Sequence, residues 1–180
     1  VDKPLPFITS LKTVVTNKSW ITYESAGLMT TCMIDWISAV SPFFAIHSLG
    51  MGLGALSIMM GVEMVGMFAF FPIWRKICMR HGTKMTLAAS MITFNIGPML
   101  ALVARDVPGI AVMGFMSGIT IGGLLLARAL MWADVVDEDE TKTGIRREGI
   151  YMGIGMPVGK IAQVIVAAGT AFLLSTIIGY

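Results

Sequence analysis

Long apolar stretches near residues 21–46, 52–73, 85–104, 109–131 and 149–176 follow one another along the chain, separated by short polar intervals. Each is long enough to cross a hydrocarbon layer as a helix, which takes about 20 residues at a rise of about 1.5 Å per residue. The intervals differ in kind: 75–84 and 134–147 are dense in charge, whereas 47–50 and 105–108 are short and nearly neutral. Successive crossings produce this alternation, because each returns the chain to the opposite face. The pattern predicts an all-α, polytopic membrane protein with five transmembrane helices. Residues 1–20, opening on the Pro-containing VDKPLPF, read as a cytoplasmic linker or loop, and residues 21–180 as the bundle. A start at Val1 and an apolar run that reaches Tyr180 read as an internal piece of a larger protein.

The position of the charges orients this bundle. Of the 13 Lys and Arg, Lys3, Lys12, Lys18, Arg75, Lys76, Arg80, Lys84, Lys142, Arg146 and Arg147 fall on one side and only Arg105 on the other. The positive-inside rule makes the first side cytoplasmic and puts the amino terminus there. Composition agrees, with 56% hydrophobic and 13% charged residues and a mean hydropathy of +0.79, against about 25% charged in a soluble domain. A net charge of +2 carries no footprint for nucleic acid, so the expected surroundings are the lipid bilayer. Cys32 and Cys78 fit no metal or redox spacing and read as packing residues. His47 and His81 read as a residue at the far end of a span and a loop residue; no metal site is expected.

Small residues suggest how the helices meet. Gly114, Gly118 and Gly122 recur every four residues and so share one helical face, where a neighbouring backbone can come close, and Gly155 and Gly159 repeat the spacing in the last stretch. Such faces pack tightly, and they also let helices rock against each other.

Ionisable residues inside the apolar stretches carry the candidate chemistry. Asp35 shares a face with Thr31, Ser38 and Pro42. A lone Asp in lipid costs about 2.5–3.5 kcal/mol on insertion scales, so it either lines a path or holds helices together by a buried hydrogen bond. Glu63 lies midway along the second stretch beside Met59, Gly66 and Phe70. Lys160 lies about 18 Å beyond Glu148 along a helix, follows Pro157 and shares a side with Gly153 and Gln163. It is a candidate for coupling, with a structural salt bridge to Asp35 or to another helix as the alternative. Glu24 and Arg128 stand near the inner ends of their helices, where snorkelling to interfacial water accounts for them. Deep in the fourth stretch only Phe115 offers an aromatic platform for a sugar, since Trp132 lies near the charged end.

The words ADVVDEDETKTG and RREGIY, with Asp134, Asp137, Glu140, Lys142, Arg146 and Glu148 followed twelve residues later by Lys160, resemble the cytoplasmic loop before the penultimate helix of one carrier group. That group is the glycoside, pentoside and hexuronide cation symporter family of the major facilitator superfamily. Arg80, Gly82 and Lys84 resemble, more weakly, the short basic turn between the second and third helices of a major facilitator half. The resemblance implies that the spans are helices seven to eleven of a twelve-helix fold, with the amino-terminal half missing as a partner. It implies alternating-access symport of a sugar or related small solute with a sodium ion or proton, in a plasma or inner membrane. A lysolipid or other amphiphile is the alternative solute. It further implies that the charged segment is a cytoplasmic gate, a set of ion pairs broken when the halves rock; the same residues also suit a solvated acidic turn. Lys160, with Asp35, Gln163 and Glu63, would serve substrate or coupling. No cofactor is implied beyond the coupling ion, whose site would lie mainly in the missing half.

Two other classes compete. Asp134, Asp137, Asp139 and Glu140 resemble the acid-rich magnesium sites of membrane prenyl transferases, but no second cluster accompanies them and Lys142, Arg146 and Arg147 stand ready to neutralise them. The chain has no nucleotide loop and no catalytic triad, so an enzyme is not expected. A membrane piece that transports nothing by itself is the third class.

Overall fold

The computed structural model describes residues 7–178, with side chains over 11–176, so Lys3 and the start of the 1–20 segment lie outside the described residues. Every regular element there is helical: α1 (Phe7–Val15), α2 (Lys18–Phe43), α3 (Leu53–His81), α4 (Thr83–Phe94), α5 (Ile96–Leu100), α6 (Val107–Thr143) and α7 (Glu148–Leu173). Wide π-helical turns, Phe44–Ser48 and Leu174–Ile178, extend α2 and α7. Among the described residues four helices are long and apolar enough to cross a membrane: α2 and α7 with their extensions, α3 and α6.

Three of the sequence boundaries change. The second stretch runs on through the basic interval, so Arg75, Lys76, Arg80 and His81 are helical rather than in a loop, and only Gly82 (φ 83°) separates α3 from α4. The 85–104 stretch is not one helix but α4 and α5 with a break at Asn95. Pro98 has no N–H to offer the Phe94 carbonyl, so the ladder is interrupted there, and the Asn95 side chain turns back to donate to the Met91 carbonyl at 3.0 Å. The fourth stretch grows at its charged end: α6 runs through the acidic segment to Thr143, so Asp134 to Glu140 are helical rather than part of a loop. Val135, Val136 and Asp139 face inward and hold this extension on the bundle. It stops only at Gly144, which takes the left-handed conformation (φ 70°) and donates its N–H to the Glu140 carbonyl at 2.8 Å. The connection to α7 is thus reduced to residues 144–147.

Helix starts follow local capping chemistry. Asn17 accepts the Ser19 N–H at 3.0 Å and opens α2. Asp106 accepts the Gly109 N–H at 2.9 Å and, with Pro108 behind it, opens α6.

Helix α6 is the axis of the bundle. Its most apolar stretch is 56% buried, against 17% in each of the other three spanning helices, so those three keep a face uncovered. Helix α3 runs parallel to α6, with Gly114 against Met59, Gly118 against Glu63 and Gly122 against Met67. A Cβ on Gly114 would stand 2.5 Å from the Met59 carbonyl oxygen, and one on Gly118 would overlap the Glu63 carbonyl. Gly66 answers from α3, facing the Phe115 carbonyl, and the Trp74 indole donates to the Ile119 carbonyl at 2.6 Å. Helix α4 packs antiparallel on the adjoining face of α6 through Leu87, Phe94, Leu124 and Ala127. Helix α7 runs parallel to α2. At the end where α2 and α7 begin and α6 stops, referred to below as the charged end, Val14, Trp20, Tyr23, Val135, Val136 and Tyr151 form one apolar cluster.

In contrast, Gly159 meets nothing within 4 Å, and Gly155 meets the Glu24 carboxylate rather than a backbone. Gly118→Val is expected to lower stability by about 1–3 kcal/mol or more through overpacking, whereas Gly159→Val leaves it near that of the parent; thermal unfolding midpoints in detergent check both.

Candidate functional site

A cleft of about 380 Å³ opens between α2, α6 and α7, lined by Tyr23, Glu24, Thr31, Arg128, Trp132 and Gly155 among others. That volume is within the range of small-molecule sites, roughly 300–1,000 Å³. Arg128 enters from α6. Its guanidinium does not snorkel toward the charged end but turns the other way, because Nη1 donates to the Thr31 hydroxyl at 3.1 Å, two helical turns deeper along α2 than Tyr23. Gly27 makes the slot: a Cβ there would lie 2.7 Å from Nη2. The Tyr23 ring supports the cation from the side, 5.8 Å from Cζ to the ring centroid, and Nε is buried without a partner.

Glu24 is also withdrawn from water, at 9% exposure, which replaces the snorkelling expected of it. Its Oε1 lies against Gly155 on α7. Glu24 and Arg128 are close enough to interact electrostatically but are not among the ion pairs of the described residues. Trp132 packs against Tyr23 (centroids 6.0 Å) and edge-on to Tyr151 (6.3 Å), so its ring forms part of the cleft wall. Phe115, the deep aromatic of the sequence reading, is instead held edge-on by Phe70 at the seam between α3 and α6 (6.0 Å).

Among the described residues no ion pair joins Asp35, Glu63 and Lys160. Asp35 is half-buried, and its Oδ2 is buried with no hydrogen-bond partner. Glu63 lines a separate cavity of about 40 Å³ with Ser38, Ser41 and Pro42. Lys160 is exposed rather than buried. Its ammonium donates to Gln163 Oε1 at 3.0 Å, and that amide, not Asp35, is its partner.

At the charged end the acidic segment divides by helical face. Exposed Arg146 gathers Glu140 (2.9 Å), Asp137 (3.2 Å) and Glu148 (3.4 Å), and the hydrogen bonds it donates to Glu140 and then Glu148 push its pKa above the ordinary arginine value. Lys142 pairs with Glu138 one turn back. Asp134 accepts from Thr83 at the start of α4, 3.2 Å away. On the inner face, Arg147 and Asp139 form an ion pair (Nε to Oδ2, 3.2 Å) at 4% and 5% exposure, above Tyr151, which is fully buried and takes the Asn17 amide at 2.9 Å. The sequence placed Asp139 and Arg147 among charges that neutralise one another but did not distinguish them as a buried pair. Its signal was present: Asp139 falls one turn after Val135 and Val136 on the same inward face.

This division overturns the magnesium reading. Asp137 and Glu140 hold Arg146 while Asp139 turns inward to Arg147, and among the described residues no group of three or more His, Cys, Asp or Glu is gathered to hold a metal ion.

Long apolar helices packed around α6, with charge collected at one end, make an integral multi-pass membrane protein. Residues 1–180 match the family described as MFS/sugar transport protein, and the chain belongs to that family, which is one of carriers and not of enzymes. It is similar to the isoprimeverose transporter of Lactiplantibacillus pentosus, 27% identical over 179 residues, an alignment that takes in 96% of this chain and 36% of that protein. The chain therefore spans well under half of that relative's length. No solved structure matches it.

Removing one partner of a buried ion pair leaves the other charge uncompensated. Arg147→Ala is expected to cost about 3–5 kcal/mol, whereas Arg146→Ala, at the solvated network, leaves stability close to the parent; unfolding midpoints of the two purified variants check the contrast.

Proposed function

We propose that the chain forms one wall of a secondary carrier that moves a sugar or related small solute by alternating access, driven by a sodium or proton gradient. The observation that carries this reading is the setting of Lys160. An ammonium stands about 18 Å along α7 from Glu148, on a face that α2 leaves uncovered, among exposed Met156, Ile161 and Val164. Its one hydrogen bond goes to Gln163. A cation at that depth is too costly against acyl chains, so the face suits a water-filled vestibule closed by a second set of helices. Gly153 and Gly159 beside it meet nothing within 4 Å, which leaves room for such a wall.

In this arrangement Lys160 and Gln163 face the vestibule, and carboxylates of the opposite wall complete the coupling site. Asp35 and Glu63 serve as secondary acidic positions in the first two spans. The gathering of Lys and Arg at the charged end supports a cytoplasmic assignment for that end and for the start of the chain, in a plasma or inner membrane. The broken pair of α4 and α5 then makes the third crossing. The solvated contacts of Arg146 with Asp137, Glu140 and Glu148, together with Lys142 and the Asp134 to Thr83 bond, act as a gate because exposed pairs of this kind are worth about 0–1 kcal/mol each and exchange partners readily. The aromatic wall of Trp132 and Tyr23 favours a sugar over an amphiphile, as do the family description and the isoprimeverose relative.

Lys160→Ala in the full-length protein is expected to abolish gradient-driven accumulation of solute while leaving membrane insertion intact; accumulation at the parent level would refute the coupling role.

A further inference from the structure

The cavity of about 40 Å³ lies where α2, α3, α4 and α6 converge, and Glu63 is the one ionisable residue in its lining. That volume holds an ion with a water or two and excludes a sugar ring. Ile34, Leu56, Met59 and Ile121 stand around it, so a bare carboxylate there is costly without a positive partner. Glu63 is half-buried, and among the described residues it is in no ion pair and its carboxylate has no hydrogen bond. Its place along α3 is fixed, because the Glu63 carbonyl is packed against Gly118 of α6.

The same cavity collects oxygen atoms that the helices leave unused. Pro42 has no N–H for the Ser38 carbonyl one turn back, and Pro98 has none for the Phe94 carbonyl. Ser38, Pro42 and Phe94 all line the cavity. The Ser38 and Ser117 hydroxyls have no hydrogen bond among the described residues, whereas the Ser41 hydroxyl donates to the Ile37 carbonyl at 2.6 Å. A proton would neutralise the carboxylate but would engage one of these oxygens at most. Several hard oxygen donors, one of them charged, suit an alkali cation, and carbonyls released where a helix is interrupted are a recurrent means of holding sodium inside a membrane. Magnesium keeps several of its waters, for which the space is too small, and any divalent ion would leave a positive charge uncompensated beside a single carboxylate.

We propose that Glu63, the Ser38 and Ser117 hydroxyls and the carbonyls of Ser38 and Phe94 form a binding site for one monovalent cation of sodium size, resident within this wall of the protein. The ion ties α2 and α4 to the seam between α3 and α6. The site is separate from the coupling site at Lys160, and it gives Glu63 a task that the carrier reading leaves open. It rests on the membrane placement of these helices and not on gradient coupling.

Equilibrium binding of radioactive sodium to the full-length protein in detergent, with choline holding the ionic strength constant, tests the site by stoichiometry. The parent is expected to bind one sodium ion more than Glu63→Gln, whatever the coupling site contributes, because that substitution keeps the shape of the side chain and removes its charge. Ser117→Ala keeps the stoichiometry and weakens the same ion by about tenfold or more. Sodium raises the unfolding midpoint of the parent further than that of Glu63→Gln, and in choline the variant unfolds no lower than the parent. Equal sodium stoichiometry in parent and Glu63→Gln overturns the proposal, as does a Glu63→Gln midpoint lowered equally in sodium and in choline, the mark of a carboxylate that only packs. Should Glu63→Gln not fold, Ser117→Ala decides, and sodium bound by it as tightly as by the parent overturns the site. Failure of the two readings is distinguishable: parent-level accumulation in Lys160→Ala sinks the coupling role alone, whereas unchanged stoichiometry in Glu63→Gln sinks this site alone.

Discussion

Direct backbone contact between α3 and α6 is the constraint on which the rest depends. In a bilayer the apolar faces of helices gain little by leaving lipid for each other, so association rests on close van der Waals approach. Gly66, Gly114 and Gly118 allow carbonyls to come where any side chain would collide. With α3 seated there, α6 becomes a buried axis, α4 closes its adjoining face, and Trp74 caps the seam by bonding the Ile119 carbonyl. The outward faces of α2, α3 and α7 are left open, and candidate polar groups reach those openings only because the frame behind them does not shift.

Charge is divided by helical face at one end of this frame. The same acidic run supplies a solvated network around Arg146 and a buried pair between Asp139 and Arg147. These have opposite physical character. Exposed pairs are weak and interchangeable, whereas a buried pair is costly to break and fixes the approach of its two elements. The four-residue connection between α6 and α7 can therefore be anchored on its inner side and adaptable on its outer side. Tyr151, bonded by Asn17 at the start of α2, carries the anchor across to the first spanning helix.

The cleft behind that anchor joins two oppositely charged groups that do not pair. Arg128 points into the bundle toward Thr31 and Glu24 rests on Gly155, close enough to attract each other without forming an ion pair. Glycines have different tasks in the two places: at the seam of α3 and α6 they bring backbones together, and at the cleft Gly27 and Gly155 make room for the Arg128 and Glu24 side chains.

Hydrophobic period and charge placement by themselves determined the all-α membrane character and the glycine face of α6, because these are properties of a single helix and its solvent. Tertiary structure decided what depends on which face a neighbour covers. Asp134 to Glu140 looked like a loop because charge alone was read, yet Val135, Val136 and Asp139 turn that stretch into a packed extension of α6. Arg128 looked like an interfacial snorkel, but Gly27 and Thr31 on another helix gave it a deeper place. Lys160 looked buried by its depth along α7, yet its exposure depends on helices beyond α2, and no periodicity within one segment encodes where a partner helix will stand.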